Sequence, residues 1–220
     1  MCFSFEASIG TFIVGTLSTF LIFKEFKNNK VYKKVGIFWL AAVLMQLWEA
    51  MIWKNYHCEF ATKMALITNL LQPFIFLLIL PEFLKKNKEN KKKRNIKLLI
   101  VFFSLIIYSY YVYNFSYFKD YGCILKNNTV NLEWWNDLPN KKNYGSTIYI
   151  IIMIINMKML IPNSKVAHLQ IFIFILSLVS ANVLNYRNYQ NNVGSVWCLF
   201  ASLAPVINYL VFKHNKKLGT

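Results

Sequence analysis

Two carboxylates and a few amides stand inside runs of residues that are otherwise apolar. Glu49 lies in AVLMQLWEAMIW with Gln46 three residues before it, and on a helix those positions share a face. Asn69 and Gln72 repeat the spacing in TNLLQPFIF, with Pro73 directly after Gln72. Glu6 precedes the first apolar run, Asn182 closes the sixth, and Trp197 and Cys198 open the seventh ahead of Pro205 and Asn208. Ionisable groups are costly inside apolar helices and mark ligand, ion or proton sites. The chemistry on offer is binding rather than bond-making. Carboxylates suit a cation or an amine, and amides supply both a donor and an acceptor to a polar solute. The ligand-binding set read from the sequence is therefore Glu49, Gln46, Glu6, Asn69, Gln72 and Trp197. The competing role for the amides is helix-to-helix hydrogen bonding, worth about 0.6 kcal/mol each in membrane bundles.

Catalytic patterns are poor. No HExxH, GxSxG, CxxC or P-loop motif occurs. His57, His168 and His214 fall on opposite sides of the arrangement derived below, so no three-histidine metal site is expected, and neither is a cofactor. A Ser/His/Glu grouping of Ser4 or Ser8, His57 and Glu6 or Glu49 is a distant third choice, and the chain leans away from being an enzyme. No lysine falls in the middle of the seventh run, so a retinal Schiff base has no attachment point.

The elements that must carry these residues are long and apolar. Of the 220 residues 56% are hydrophobic and only 15% charged, against about 25% charged in soluble chains. Seven runs approach the ~20 apolar residues a membrane helix needs: about 7–23, 35–53, 61–80, 98–115, 146–161, 167–184 and 194–212. The fold expected is all-α, a single seven-helix integral membrane bundle over 1–220, with a long loop at 116–145. A signal peptide is a competing reading of the first run. No basic residue precedes it and no small-residue cleavage site follows before Lys24, so it is kept as a helix.

Charge orients the bundle. The segment Lys85–Lys97 holds seven Lys and one Arg in thirteen residues. Together with the linker after the first run, the linker after the fifth and the C-terminal tail, it places 18 of the 25 basic residues on one side. The positive-inside rule then puts the C-terminus in the cytoplasm and the N-terminus outside. The net charge of +16 is thereby explained by topology and anionic lipid head groups, not by nucleic acid. Which membrane hosts the chain is not readable.

Cys2, Cys58, Cys123 and Cys198 all fall on or near the outer side. Four cysteines on an oxidising face allow three pairings. Cys58–Cys123, pinning the long loop over the bundle, is favoured, with Cys2–Cys198 as its complement. Asn127 begins an outer Asn-Asn-Thr sequon and is a glycosylation candidate. Pro73 and Pro205 sit at similar depth in the third and seventh runs. This faint 3+1+3 repetition is of the kind found in PQ-loop carriers, although the order here is Gln72-Pro73 rather than Pro-Gln.

The opening Met-Cys-Phe-Ser-Phe-Glu-Ala-Ser, Met45-Gln46-Leu47-Trp48-Glu49 with Trp53, Leu71-Gln72-Pro73, Glu133-Trp134 and Val196-Trp197-Cys198 span the whole chain. Together they resemble a functionally uncharacterised family of small polytopic membrane proteins found in bacteria and large DNA viruses of eukaryotes. Its members begin Met-Cys-(Phe/Trp)-Ser. The resemblance implies that Cys2, Glu6, Gln46, Glu49, Gln72, Pro73, Trp197 and Cys198 are the family-type positions, and it implies no activity. The expectation is a carrier or channel-like protein for a small polar or cationic solute. A seven-helix receptor is the alternative, and a lipid-modifying enzyme comes behind it.

Overall fold

The computed structural model describes residues 4–86, 91–117, 123, 144–187 and 193–217. Among these, every regular element is helical. The order is α1 (Phe5–Glu25), α2 (Lys30–Trp53), α3 (Cys58–Ile75), a 3₁₀ turn (Phe76–Ile79), α4 (Leu80–Lys86), α5 (Lys91–Tyr117), α6 (Tyr144–Leu160), α7 (Ser164–Arg187), α8 (Val193–Ser202) and α9 (Ala204–Lys217). Five helices among the described residues are long and apolar enough to cross a membrane: Phe5–Glu25, Lys30–Trp53, Cys58–Leu84, Lys91–Tyr113 and Ser164–Ala181.

Two of the expected seven runs fall short of that standard for identifiable reasons. The fifth run forms α6, a helix of only 17 residues. The seventh, expected as one helix, is two: α8 ends at Ser202, Leu203 makes a turn, and α9 restarts at Ala204. Pro205 sits in the first turn of α9, where its missing N–H goes unneeded. The backbone N–H of Val206 donates to Leu203 O at 3.0 Å to begin the new helix. The basic segment is also less of a loop than its composition implies, because α4 runs through Lys86 and α5 begins at Lys91.

Local chemistry starts and stops the helices. Ser4 caps α1 by accepting from Ala7 N, and Asn29 caps α2 by accepting from Tyr32 N. Asn163 Oδ1 accepts from Lys165 N and Val166 N at the start of α7, just after Pro162. Between α2 and α3 the chain reverses tightly, with Asn55 and His57 in the left-handed region at φ 52° and 46°. Non-glycine residues occupy that region at a cost.

α2 is the central helix. Phe38, Trp39, Met45 and Ile52 are all sealed from solvent, and α1, α3, α8 and α9 all pack against it. Gly15 of α1 permits one of these contacts. A Cβ there would lie 2.6 Å from Val43 Cγ2 and 2.7 Å from Ser202 O, at the break between α8 and α9. α6 packs between α5 and α7 and reaches α3 and its 3₁₀ turn. The outward faces remain apolar: Leu17 and Phe20 on α1, Phe102 and Ile107 on α5, and Phe172 on α7 are more than half exposed. Such faces suit contact with lipid.

Candidate functional site

The buried polar groups fall into three clusters. They can be ordered along the bundle between the end bearing Cys58 and the lysine-rich end where α2 starts and α9 finishes.

The first lies nearest the Cys58 end. Glu49 and Gln46 are both fully buried. Gln46 Nε2 donates to Glu49 Oε2 at 2.9 Å, and Thr11 of α1 donates to Gln46 Oε1 at 3.0 Å. The i, i+3 spacing read from the sequence thus becomes a direct contact, joined by a third residue that the sequence did not single out. Glu6 does not enter this buried group. It is exposed at the start of α1, where hydrogen bonds from its own backbone N–H and from Ser4, and least of all the charge of Lys54, hold its carboxyl below the usual range.

The second cluster surrounds Pro73. Proline removes the bond that the Asn69 carbonyl would receive, and the helix tightens to 3₁₀ at Phe76. α6 supplies what α3 lacks. Asn156 Nδ2 donates to Pro73 O at 3.0 Å, and Tyr149, two turns earlier on the same face, donates its hydroxyl to Gln72 Oε1. Tyr149 also stands edge-on to Trp197 (centroids 5.8 Å), whose indole N–H donates to Ser177 Oγ at 2.9 Å. Phe174 closes the aromatic group at 5.8 Å from Trp197. Three buried amide atoms here have no hydrogen-bond partner: Asn69 Oδ1, Gln72 Nε2 and Asn156 Oδ1. Each such atom in a sealed interior costs about 1–3 kcal/mol.

The third cluster lies toward the lysine-rich end and is fully paired. Trp39 Nε1 donates to Gln170 Oε1 at 2.6 Å, Gln170 Nε2 donates to Asn208 Oδ1 at 2.7 Å, and Asn208 Nδ2 donates to Ala204 O at 3.0 Å. All three residues are sealed. The amide pair therefore ties α2 to α7 and to the first turn of α9.

Ion pairs hold the lysine-rich end. Lys34 of α2 pairs with Glu82 of α4. Tyr209 of α9 donates to Glu25 of α1 at 2.7 Å, and Lys213 stands 3.9 Å from the same carboxylate. The Tyr209 hydroxyl and the Glu25 charge hold the Lys213 ammonium above its usual range. Two shallow clefts of about 320 and 380 Å³ flank Asn29 and Tyr32 here, the larger also lined by Lys27 and Lys216.

Of the sequence-derived set, Gln46 and Glu49 meet each other, Gln72 and Trp197 meet through Tyr149, Asn69 lies one turn from Gln72, and Glu6 stands apart. Cys58 and Cys123 form a disulfide with Cα atoms 5.2 Å apart. Cys2, Asn127, Glu133 and Trp134 lie outside the described residues, as do the side chains of Asn182 and Cys198. Among the described residues no group of three His, Cys, Asp or Glu side chains could hold a metal ion. Thr11, Tyr149, Asn156, Gln170 and Ser177 belong to the clusters and were missed. The available signal was a lone polar residue in an apolar run, as in IIMIINMKML for Asn156.

Comparison of the chain with protein-family models, curated proteins and solved structures finds no match.

Proposed function

We propose that the chain is a multi-pass membrane protein that binds and passes a small polar or cationic solute. It would cross the bilayer seven times, with its N-terminus outside and its C-terminus in the cytoplasm. Two elements join the five long helices to make seven. α6 is about 26 Å long at 1.5 Å per residue, and α8 with α9 together exceed the ~30 Å hydrocarbon core. The lysine-rich end, with the clefts beside Lys27 and Lys216, would face anionic lipid head groups.

The observation that carries the functional reading is the sealed Glu49 carboxyl hydrogen-bonded to Gln46. Removing a carboxylate from water costs several kcal/mol even after relaxation, and a bundle built only to pack would use an apolar residue. The Trp39–Gln170–Asn208 cluster illustrates what purely structural polarity looks like, with each group paired. In the proposed roles Glu49 is the ligand or coupling carboxylate and Gln46 its orienting neighbour. The Pro73 break gives α3 the freedom to move, and Glu6 is an entrance charge. Transport through proteoliposomes tests this. Glu49→Gln should lose at least tenfold in solute flux while unfolding at the wild-type temperature. Unchanged flux, or lost stability with no flux to lose, would make Glu49 structural.

A further inference from the structure

We infer that the seam between α3 and α6 at Pro73 binds a small uncharged solute carrying at least two hydrogen-bond donors and one acceptor, a polyol or a urea-like amide. The inference rests on the reading above of a solute-passing bundle and narrows its substrate. Asn69 Oδ1 and Asn156 Oδ1 are acceptors without donors, and Gln72 Nε2 is a donor without an acceptor. All three residues are at least nine-tenths buried. Two of the three are held from elsewhere: Asn156 donates to Pro73 O, and Gln72 accepts from the Tyr149 hydroxyl. Asn156 cannot turn over without breaking the bond it makes, because a carbonyl oxygen only accepts.

The remaining atoms define a complement. A cation would satisfy two acceptors but meet the Gln72 N–H with the wrong sign, and an anion would face two carbonyl oxygens. A neutral molecule with both kinds of group satisfies all three. Glu49 contributes no atom to this seam in any contact described above. Helix spacing places the set together, since Asn69 and Gln72 are one turn apart on one face and Asn156 touches the next residue, Pro73. Pro73 lies fifteen residues into α3, about 22 Å along it, so the seam falls near the middle of the span.

The test is stopped-flow permeability of proteoliposomes to glycerol, urea and ethylammonium, with Asn69→Leu as the key variant. The Asn69 oxygen has no partner, so a purely structural amide predicts equal or greater stability on replacement by leucine and no change in flux. The site predicts that wild type raises glycerol or urea permeability above empty vesicles. It predicts that Asn69→Leu lowers that permeability about tenfold, the worth of one hydrogen bond to a bound solute. Asn69→Ser gives the same reading if the leucine variant fails to assemble. The glycerol and urea arms separate polyol from amide. Three outcomes overturn the inference: permeability unaffected at Asn69, a rise for ethylammonium alone, or no rise for any probe. The second leaves the solute-passing reading standing with Glu49 as its site, whereas the third removes both.

Discussion

Gln170→Leu should be among the most damaging single substitutions in the bundle. Gln170 accepts from Trp39 Nε1 and donates to Asn208 Oδ1, with a weaker return bond of 3.3 Å from Asn208 Nδ2. Leucine is close in volume, so the packing loss is small and the polar loss dominates. Two atoms are stranded in a sealed interior, the Trp39 N–H and Asn208 Oδ1, while Asn208 Nδ2 keeps Ala204 O. Three lost bonds at about 0.6 kcal/mol, the membrane average, give roughly 2 kcal/mol. Two stranded groups at about 2 kcal/mol each give roughly 4. The expected cost is thus about 2–4 kcal/mol, read by reversible unfolding in mixed detergent followed by circular dichroism. A triple variant with Trp39→Phe and Asn208→Leu removes the stranded partners too and should recover to within about 1 kcal/mol of wild type. A single variant costing under about 0.5 kcal/mol, or a triple variant whose losses simply add, would refute the reasoning that this cluster locks α9 to α2 and α7.

Gly15→Ala should destabilise by about 1–3 kcal/mol, since its Cβ would overlap Ser202 O, a backbone atom that cannot rotate away. Gly10→Ala, with nothing within 4 Å of the new carbon, should be neutral or stabilising by up to about 1 kcal/mol in the same thermal assay. Reduction, or the pair Cys58→Ser and Cys123→Ser, should cost up to about 4 kcal/mol for a closed loop of 65 residues. Membrane-anchored loop ends should reduce that figure, and a melting temperature insensitive to reductant would show that the bridge constrains nothing. A reporter fused at the C-terminus should be reached by protease only from the cytoplasmic side, and cleavage from outside would invert the topology.

Much of this arrangement is legible in the residues themselves. The apolar runs mark the helices because nothing else in the chain competes with them, and Glu49 with Gln46 is conspicuous because an apolar helix has no use for either. Pro73 and Pro205 point to weak places in the third and seventh runs. The sequence does not show that α3 bends through a 3₁₀ turn while α8 and α9 separate completely. That difference depends on tertiary contacts: Asn156 supports the carbonyl of Pro73, whereas at Leu203 the close approach of Gly15 and the Gln170–Asn208 lock hold two separate helices. Gln170 was invisible for a related reason. It lies within two turns of the start of α7, where polar residues are expected in any case, and only the fold shows that it bonds to Trp39. Cys58–Cys123 is legible through compartment reasoning, because the charge count assigns both cysteines to the side opposite most of the basic residues.

A solute path through the bundle would have to open the seam between α3 and α6 to small molecules from outside. The most direct measurement is the reactivity of Asn69→Cys toward a small membrane-impermeant thiol reagent added from outside to the folded protein in vesicles, with wild type as the background. A solute path predicts labelling well above wild type, slowed by glycerol or urea. A cysteine that reacts only after denaturation would mean a dry, packed seam, and the polar groups around Pro73 would then be structural.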